Sequence, residues 1–444
     1  MKCTLRSFLF ATVVLAPTLA GCGDSAKLTE AESTGSNPRI TEPRTSSMPT
    51  VAIAAAVPWK EGEKPKPAEG LEVNAFATGL DHPRWIYGLP NGDVLVAESN
   101  APPQPDDAKG LKGWIYKIAL EWAGAGVKSA NRITLLRDSD GDGVAETRST
   151  LLSGLNSPFG MVLVGNTLYV ANTDAVVAFD YTEGTREITS AGAKVADLPA
   201  GRRNHHWTKN IIADSSGKLL VTVGSNSNVG ENGIDAEHDR ACILFVDPKT
   251  GSVAVYASGL RNPNGLAFEP ETGKLWTVVN ERDELGSDLV PDYLTEVVEG
   301  AFYGFPWSYW GQHVDKRVQP ERPDLVQKAR VPDYALGNHV APLGLAFSTG
   351  AALPERFKSV AFVGEHGSWN RRPPSGYKVV AVKFEHGRPV GQPIDVLTGF
   401  LTDNGEARGR PVGVIVHKSG ALLVADDVGN AIWRLTGAHA RAGR

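Results

Sequence analysis

One loop-and-strand unit recurs six times along this chain of 444 residues. Each unit opens with a turn rich in glycine, proline and asparagine, continues into an apolar strand, and after a second tight turn enters another apolar strand. The opening turns lie at residues 79–84, 154–160, 201–210, 259–266, 341–346 and 410–414. A strand-rich unit that repeats about every 45–85 residues cannot bury both faces of its own sheet, so neighbouring units must stack.

Radial stacking of four-stranded sheets buries these faces and also protects the strand edges. The repeat therefore predicts an all-β fold, a six-bladed β-propeller over residues 71–437, followed by a flexible tail over 438–444. The 48 glycines and 29 prolines suit many tight turns and argue against a helical bundle. A pair of β-sandwiches is the alternative, but it does not explain why the same turn opens every unit. In a propeller, these turns converge at one end of the central axis.

The first 70 residues differ in composition from the rest of the chain. A basic start and a short apolar run precede Leu19-Ala20-Gly21-Cys22. This pattern predicts an export signal over residues 1–21 and resembles the bacterial lipobox, in which Cys22 is lipidated; an ordinary signal peptide is the alternative. Residues 22–70, rich in Ser, Thr, Pro, Glu and Lys, are predicted to be a disordered tether. The protein would then be exported, periplasmic or at the cell surface, and held at a membrane only through a lipid anchor.

Charge and cysteine content exclude several classes of function. The formal net charge is −5 and the chain has no basic stripe, so a nucleic-acid partner is not expected. With Cys22 lipidated, Cys242 has no partner for a disulfide, and its apolar surroundings predict a buried structural thiol. The P-loop, the Gly-x-Gly-x-x-Gly fingerprint, a zinc-type cysteine set and the Gly-x-Ser-x-Gly nucleophile motif are all absent from the sequence.

Basic and imidazole side chains recur near the convergent turns. Arginines stand at Arg261, Arg371, Arg408 and Arg410, and such guanidinium groups pair bidentately with carboxylates or phosphates. Each arginine alone is more typical of a surface ion pair, whereas several around one cavity predict a polyanionic ligand. The adjacent His205 and His206 supply a side chain whose pKa suits proton transfer near neutral pH.

Two acidic segments are candidates for calcium. Residues 280–292 combine several carboxylates with loop carbonyls, the oxygen ligands that calcium prefers, although a solvated acidic loop has the same composition. Asp138, Asp140 and Asp142 match the opening of an EF-hand loop, but the twelfth position is Ser149 instead of a glutamate. We predict a structural calcium loop there, inserted between units.

Several longer motifs, in the same order along the chain, resemble the glucose/sorbosone dehydrogenase family, and its sorbosone dehydrogenase-like branch in particular. They are residues 202–224, 259–266, 280–283, 303–307, 364–371 and 409–414. The resemblance covers essentially residues 71–437 and implies a soluble quinoprotein on a six-bladed propeller. Its implied cofactors are pyrroloquinoline quinone (PQQ) and a calcium ion at the quinone edge.

The resemblance also implies roles for single residues. His206 matches the base that removes the hydroxyl proton of the sugar while hydride passes to the quinone, and His205 takes the neighbouring position. Arg261 matches an arginine that lies against substrate and quinone, and Asn262 is its partner in the motif. Asn210 stands where the family has an arginine.

The remaining implied roles concern the cofactors. Arg408 and Arg410 match a pair that binds the carboxylates of PQQ, and Arg371 lies near the position of a cofactor-binding lysine. The backbone carbonyls of Arg282 and Asp283 fall where the family ligates calcium.

The resemblance thus implies a PQQ-dependent enzyme that oxidises a sugar, a sugar alcohol or a sugar-derived aldehyde. A haem-attachment Cys-x-x-Cys-His motif is absent, so electrons must pass to an external acceptor, a quinone or a cytochrome. A metal-dependent propeller lactonase is one alternative, but it needs carboxylate and asparagine ligands around the axis. A non-catalytic propeller that binds a protein or a glycan is the other, and it leaves the histidine and arginine loops without a shared purpose.

Overall fold

The computed structural model describes residues 24–45, 50–103, 120–349 and 352–438. These residues form six antiparallel sheets of four or five strands, which confirms the predicted six-bladed β-propeller. Two strands precede the first blade in the chain, β1 (Lys66–Pro67) and β2 (Leu71–Thr78), and both join later blades.

Blades 1 to 3 each have four strands that run outward from the axis in chain order. Their strands are β3 (Pro83–Gly88), β4 (Val94–Glu98), β5 (Arg132–Arg137), β6 (Thr147–Leu152), β7 (Met161–Val164), β8 (Thr167–Ala171), β9 (Ala175–Asp180), β10 (Ala193–Asp197), β11 (Ile211–Ala213), β12 (Leu219–Val223), β13 (Cys242–Val246) and β14 (Val253–Ser258).

Blades 4 to 6 depart from this plan by additions. Blade 4 carries a small two-stranded sheet and a short helix between its third and fourth strands, blade 5 gains β1 at its edge, and blade 6 takes β2 as its outer strand. Their strands are β15 (Asn262–Phe268), β16 (Leu275–Asn280), β17 (Pro291–Glu296), β18 (Ser308–Tyr309), β19 (His313–Val314), β20 (Tyr334–Asn338), β21 (Pro342–Phe347), β22 (Val360–Glu365), β23 (Lys378–Glu385), β24 (Arg388–Thr398), β25 (Pro411–Val416), β26 (Leu422–Asp426) and β27 (Ala431–Gly437).

Helices are few and short. The α-helices are α1 (Glu30–Ser33) and α2 (Pro323–Val326), and 3₁₀ turns lie at Ile234–Glu237 and Glu355–Phe357. Among the described residues, we find no helix of sufficient length and apolar character to cross a bilayer.

The ring is closed by the strand that precedes the first repeat. Along β27, β2 pairs antiparallel from Leu71 opposite Gly437 to Thr78 opposite Ala431. Around the axis, the inner strands β3, β7, β11, β15, β21 and β25 contact one another in turn, and β25 contacts β3. The repeat boundaries predicted from the opening turns therefore coincide with the blades.

Hydrophobic side chains from adjacent blades form the core. Between blades 2 and 3, for example, Val176 and Val221 pack with the predicted buried thiol of Cys242. Between blades 4 and 5, Trp276 and Phe384 make an edge-to-face contact with ring centroids 5.0 Å apart. Burial between sheets explains why no single unit could be stable alone.

The glycines of the repeated opening turns allow the inner strands to approach closely. A Cβ atom added to Gly344 would lie 2.3 Å from the carbonyl oxygen of Val412 on the next blade. At Gly265, an added Cβ would lie 2.7 Å from the backbone nitrogen of Leu345. Only a residue without a side chain fits where backbones from neighbouring blades meet.

The segment before β2 differs from the predicted disordered tether. Within residues 24–45 and 50–70, backbone groups of Lys27 and Leu28 donate hydrogen bonds to the Asp288 carboxylate, and the Trp59 indole donates one to Asp426. Asp288 and Asp426 are both buried. The composition of this segment could not reveal that buried carboxylates of the propeller would satisfy its polar groups. The export signal, Cys22 and residues 439–444 lie outside the described residues.

Candidate active site

Loops from the blades meet at one end of the axis and carry most of the predicted polar residues. These loops either precede the first strand of a blade or join its second and third strands. His206 precedes β11, Arg261 precedes β15 and Arg410 precedes β25, whereas Asp283 follows β16 and Asn370 follows β22. The contacts described below connect these loops to one another.

His206 is held as a neutral imidazole. Its Nδ1 lies 2.8 Å from the backbone carbonyl oxygen of Ser225, an acceptor only, so Nδ1 carries the hydrogen and Nε2 keeps a lone pair. Burial, followed by the nearby charge of Arg261 and the contact with His205, holds the pKa of His206 well below its usual value. A neutral imidazole with a basic Nε2 can accept a proton at neutral pH.

The neighbouring residues fix the orientation of His206. The His205 ring meets the His206 ring edge-on, with centroids 4.7 Å apart, and the backbone nitrogen of His205 donates to Asn226. Gly224, at the end of β12, makes room for the site, because an added Cβ would lie 2.5 Å from the His206 Cβ and 2.3 Å from the Asn262 Oδ1. The predicted site residues His206 and Asn262 therefore both pack against the backbone of Gly224.

Arg261 is buried and rigidly held. Its Nε and Nη2 donate to the carbonyl oxygen and the Oδ1 of Asn228, both at 3.0 Å, and its Nη1 donates to the carbonyl of Glu281 at 2.8 Å. The Asp283 carboxylate lies 3.5 Å from Nη2. The buried Oδ1 of Asn262, the next residue, has no hydrogen-bond partner. The immobilised guanidinium of Arg261 and the unpaired side-chain oxygen of Asn262 are thus adjacent in the chain.

The Asp283 carboxylate forms an ionic cluster that the sequence did not predict. It accepts a hydrogen bond from Asn370 Nδ2 at 2.7 Å and lies 3.6 Å from His339 Nδ1. Burial favours the neutral acid, but the His339 hydrogen bond and the Arg261 charge outweigh burial and hold the pKa of Asp283 below its usual value. The pKa of His339 is raised by Asp283 despite burial, so the pair favours an imidazolium beside the carboxylate.

The predicted calcium loop has part of its ligand set already engaged. The Asp283 carbonyl accepts hydrogen bonds from Arg317 Nη1 at 3.0 Å and Asn228 Nδ2 at 3.4 Å. The side chain of Arg282 is fully buried in ion pairs with Glu281 and Asp315. The Arg317 guanidinium thus contacts the Asp283 carbonyl, one of the two predicted calcium ligands. The Asp283 carboxylate offers another hard oxygen donor.

The predicted arginine set is only partly brought together. Arg410 is buried beside the axis, with its guanidinium over the Tyr377 ring at 4.7 Å and its Nε without a partner. Arg408 points away and pairs with Glu63 at 3.3 Å while lying over Trp59. Arg371 donates to the carbonyl of Ser287 in the adjacent loop and to the carbonyl of Pro373 in its own loop. Arg410 also contacts the N-terminal segment, since its Nη2 donates to the Ala54 carbonyl at 3.4 Å, and the cofactor-binding roles of both arginines stay predictions.

Sequence reasoning missed a second charged group, which we call the Asp427 cluster (Asp427, Arg84, His82 and His366). Asp427 accepts hydrogen bonds from the Arg84 guanidinium and from His366 Nε2 at 2.9 Å, and His82 Nε2 lies 3.6 Å away. Arg84 and His82 belong to the opening turn of the first unit, and Asp427 follows the second strand of the last unit. A search of equivalent repeat positions could have found them.

Two residues beside His206 have structural roles. Asn210, which replaces a family arginine, donates from Nδ2 to the Asn264 carbonyl at 3.0 Å and accepts from the Ile211 backbone at 2.8 Å. It therefore ties blade 3 to blade 4. Lys209 is fully buried and directs Nζ to the Trp207 carbonyl at 3.3 Å, and burial holds its pKa well below the usual value.

The second acidic segment, residues 138–146, forms the turn between β5 and β6 of blade 1. It therefore lies within a unit and not between units as predicted. Asp138 accepts from the backbone nitrogens of Gly141 and Gly143, and this arrangement folds the turn. Carboxylate oxygens of Asp138, Asp140, Asp142 and Glu146 all lie within 4.8 Å of one another. Glu146 thus adds the fourth carboxylate that an EF-hand loop would take from its twelfth position, which is Ser149 here. Calcium binding at this turn stays a prediction.

Comparisons with known proteins agree with this fold. The sequence pattern of a family described as TrAA12-like matches residues 126–296 and 321–438. A protein of unknown function from Borreliella burgdorferi is 30% identical over 298 residues, which cover 64% of this chain and 77% of that protein. A pyrroloquinoline quinone-dependent sugar dehydrogenase of Hypocrea jecorina is 25% identical over 422 residues, which cover 82% of this chain and 87% of that protein.

Among solved structures, the chain is similar to the holo form of the PQQ domain of pyranose dehydrogenase from Coprinopsis cinerea. The TM-score is 0.68 at 20% identity, and the match covers 87% of this chain and 100% of that one. At this level of identity the likeness concerns the propeller fold.

Proposed function

Because the chain belongs to the TrAA12-like family, we propose that it is a PQQ-dependent oxidoreductase that oxidises a sugar, a sugar alcohol or a sugar-derived aldehyde. One observation carries the proposal. His206, a neutral imidazole with a lone pair on Nε2, stands beside the buried guanidinium of Arg261. A base next to a fixed cation suits removal of a hydroxyl proton, because the cation stabilises the alkoxide that develops.

The donor set fits PQQ, which carries three carboxylates. Arg261 and Arg410 are buried cations at the same end of the axis, and the Nε of Arg410 still lacks a partner. The Oδ1 of Asn262 likewise lacks a partner. The unpaired Nε of Arg410 favours an anionic ligand, and the unpaired Oδ1 of Asn262 favours a hydrogen-bond donor on that ligand, since leaving each buried group unpaired costs about 1–3 kcal/mol.

The residues of the chain would then have distinct tasks. PQQ, when bound, supplies a quinone that accepts two electrons from the substrate and is reoxidised by an external quinone or cytochrome. His206 takes the substrate hydroxyl proton at Nε2, and the Ser225 carbonyl keeps the imidazole in the required tautomer. Arg261 orients the reacting oxygen, because its three hydrogen bonds to Asn228 and Glu281 prevent it from moving.

Calcium belongs to the same proposal. The anionic Asp283 carboxylate and the Arg282 carbonyl would hold a calcium ion at the mouth of the axis. We do not assign the Asp283 carbonyl to this ion, because the Arg317 guanidinium already contacts it. The turn formed by Asp138, Asp140, Asp142 and Glu146 would bind a second, structural ion.

The finer assignments rest on the sequence. The resemblance of residues 71–437 to the sorbosone dehydrogenase-like branch favours a sorbosone-type substrate, and the segment ending at Cys22 favours export with a lipid anchor on a bacterial membrane. The lactonase alternative is disfavoured, since among the described residues the one group of three or more carboxylate or imidazole ligand atoms that all lie within 4.8 Å of one another is in the β5–β6 turn, at residues 138–146. A purely structural propeller would have no use for a base held in one tautomer.

Reconstitution of the purified protein tests the proposal. Addition of PQQ and calcium should produce a quinone absorption band, and a sugar or aldehyde should then reduce an artificial dye. His206→Ala should retain the absorption band but lose turnover by about 10²–10⁴-fold. His238→Ala, at a histidine with 84% of its side chain exposed, is the matched control and should behave as wild type. Failure of the wild-type protein to bind PQQ at micromolar concentration would contradict the proposed function.

A further inference from the structure

The Asp427 cluster lies on the same wall of the axis as His206. The Arg84 guanidinium is stacked over the Trp207 ring at 5.7 Å and the Phe159 ring at 6.0 Å. Trp207 is the residue that follows His206 in the chain. An arginine that lies on two aromatic faces is fixed in position, so the direction of its donors is defined.

Arg410 adjoins the cluster from the opposite side. Its Nη1 donates to the carbonyl of His366 at 3.4 Å, and its own carbonyl accepts from the Asp427 backbone nitrogen at 3.4 Å. The predicted cofactor arginine and the unpredicted Arg84 therefore share one neighbourhood, which is centred on the Asp427 carboxylate.

Two guanidinium groups and two carboxylates meet in this neighbourhood. Arg84 and Arg410 are two cations, and Asp427 is an anion because its contacts with His366, His82 and Arg84 outweigh burial and hold its pKa below the usual value. The second carboxylate is Asp426, which accepts a hydrogen bond from the Arg410 backbone nitrogen at 2.8 Å and whose pKa burial raises to about 6. Burial lowers the pKa of His82 to about 4, and it also lowers the pKa of His366, so both imidazoles are neutral at pH 7. Among the described residues the Arg410 guanidinium forms no ion pair, because Asp427 pairs with Arg84 and the Asp426 side chain accepts from the indoles of Trp59 and Trp433.

Unfilled hydrogen-bonding capacity coincides with this unpaired guanidinium. The buried Nε of Arg84 and the buried Nε of Arg410 have no hydrogen-bond partner, and neither does the Nε2 of the buried His82. Buried guanidinium groups are costly unless an anionic oxygen accepts from them. Two guanidinium groups also make a metal ion an unsuitable occupant.

We propose that Arg84, together with Arg410, binds one carboxylate group of the cofactor, and that Asp427 positions Arg84 for this contact. The proposal rests on the proposed function, since it assigns a further residue to the same cofactor. Arg84 would thereby replace Arg408 as the second arginine that binds the cofactor, since Arg408 pairs with Glu63.

Calorimetric titration of the cofactor-free protein with PQQ, and with its uncharged trimethyl ester, tests this assignment without relying on turnover. Arg84→Met should weaken PQQ binding by about 30-fold or more, as expected when one partner of a buried charge pair is removed. Binding of the trimethyl ester should change by less than about threefold, because it offers no charge to Arg84.

Two further variants keep the test decisive. Arg84→Met combined with Asp427→Asn removes both charges of the ion pair, so the fold survives if the single variant is unstable. Arg137→Met is the matched control. Arg137, on the third strand of blade 1, forms a similar ion pair with the buried Asp93. Control and wild type should bind PQQ alike.

The outcomes separate this inference from the proposed function. Unchanged PQQ affinity in Arg84→Met, or an equal loss for PQQ and its ester, would overturn the role of Arg84 while the wild-type affinity still supports the function. A wild-type protein that binds neither ligand would overturn both.

Discussion

The imidazole of His206 donates its Nδ1 hydrogen to the backbone carbonyl of Ser225 across 2.8 Å. This single bond decides which nitrogen can act as a base, because a carbonyl oxygen can only accept. Ser225 itself follows β12, and its backbone nitrogen donates to the Arg261 carbonyl at 2.7 Å. The orientation of the base is thus set by backbone groups of two adjacent blades.

The pH dependence of kcat/KM should report the lowered pKa of His206. Only the neutral imidazole accepts a proton, so the rate rises as pH rises through this pKa. Because burial and Arg261 hold the pKa well below 6.5, we expect the acidic limb of the profile below pH 6.5 and no loss of activity between pH 6.5 and 7.5. Steady-state rates across pH 4–8 measure this limb, and a midpoint above 6.5 would contradict the assignment.

The charge of Arg240 should also affect the acidic limb of the kcat/KM profile. Its guanidinium donates to the Gly224 carbonyl at 3.2 Å and to Asn204 Oδ1 at 2.8 Å, and its charge also lowers the pKa of His206. In Arg240→Met, the acidic limb should move to higher pH by about half a unit to one unit. Arg240→Lys keeps the charge and should restore the wild-type midpoint. A midpoint that does not move in Arg240→Met would show that the residue acts only on folding.

The stability of the protein should fall in mild acid because of His82. Its pKa is lowered to about 4 when folded, against 6.5 when unfolded, so the unfolded state takes up the proton first and unfolding becomes easier as pH falls from 6.5 towards 4. This difference corresponds to about 3 kcal/mol. His82 has a positive φ of 55°, which asparagine tolerates, so His82→Asn should flatten the pH dependence of the free energy of unfolding. Urea titrations at pH 4.5, 5.5 and 7 provide the comparison.

The indole of Trp59 should anchor the N-terminal segment. It donates to Asp426 Oδ2 at 3.0 Å, the same oxygen that accepts from Trp433 at 3.0 Å. Trp59→Phe removes one donor from a buried carboxylate and should lower the free energy of unfolding by about 1–3 kcal/mol. Trp122→Phe is the control, since that side chain is exposed, and it should change stability by less than about 0.5 kcal/mol. Equal effects would contradict the anchoring role of Trp59.

The fold could be predicted from the sequence because its repeat has a physical cause. Gly265 and Gly344 recur in the opening turns since inner strands touch at the axis, and such a constraint leaves a periodic trace. His206, Arg261 and Arg410 were found by the same periodicity, because equivalent loops of a propeller converge.

What the sequence did not reveal depends on side-chain direction and on partners distant in the chain. Arg408 and Arg410 are two residues apart, yet one faces Glu63 and the other faces the axis. Asp427, on blade 6, contacts groups from blades 1 and 5, and no pattern in its own segment marks a carboxylate that will be surrounded in this way. The same limit applies to Asp288 and Asp426, which hold a segment whose composition is typical of disorder.

Closure of the ring by β2 and β27 has a consequence for biosynthesis. The two strands are separated by roughly 350 residues, so their pairing has a very high contact order and a large entropic cost. Strand β2 leaves the ribosome first and must wait for its partner until the last blade is synthesised. During that interval its edge is open to wrong pairing, and a chain that stops short of residue 431 has no strand with which to complete the circle.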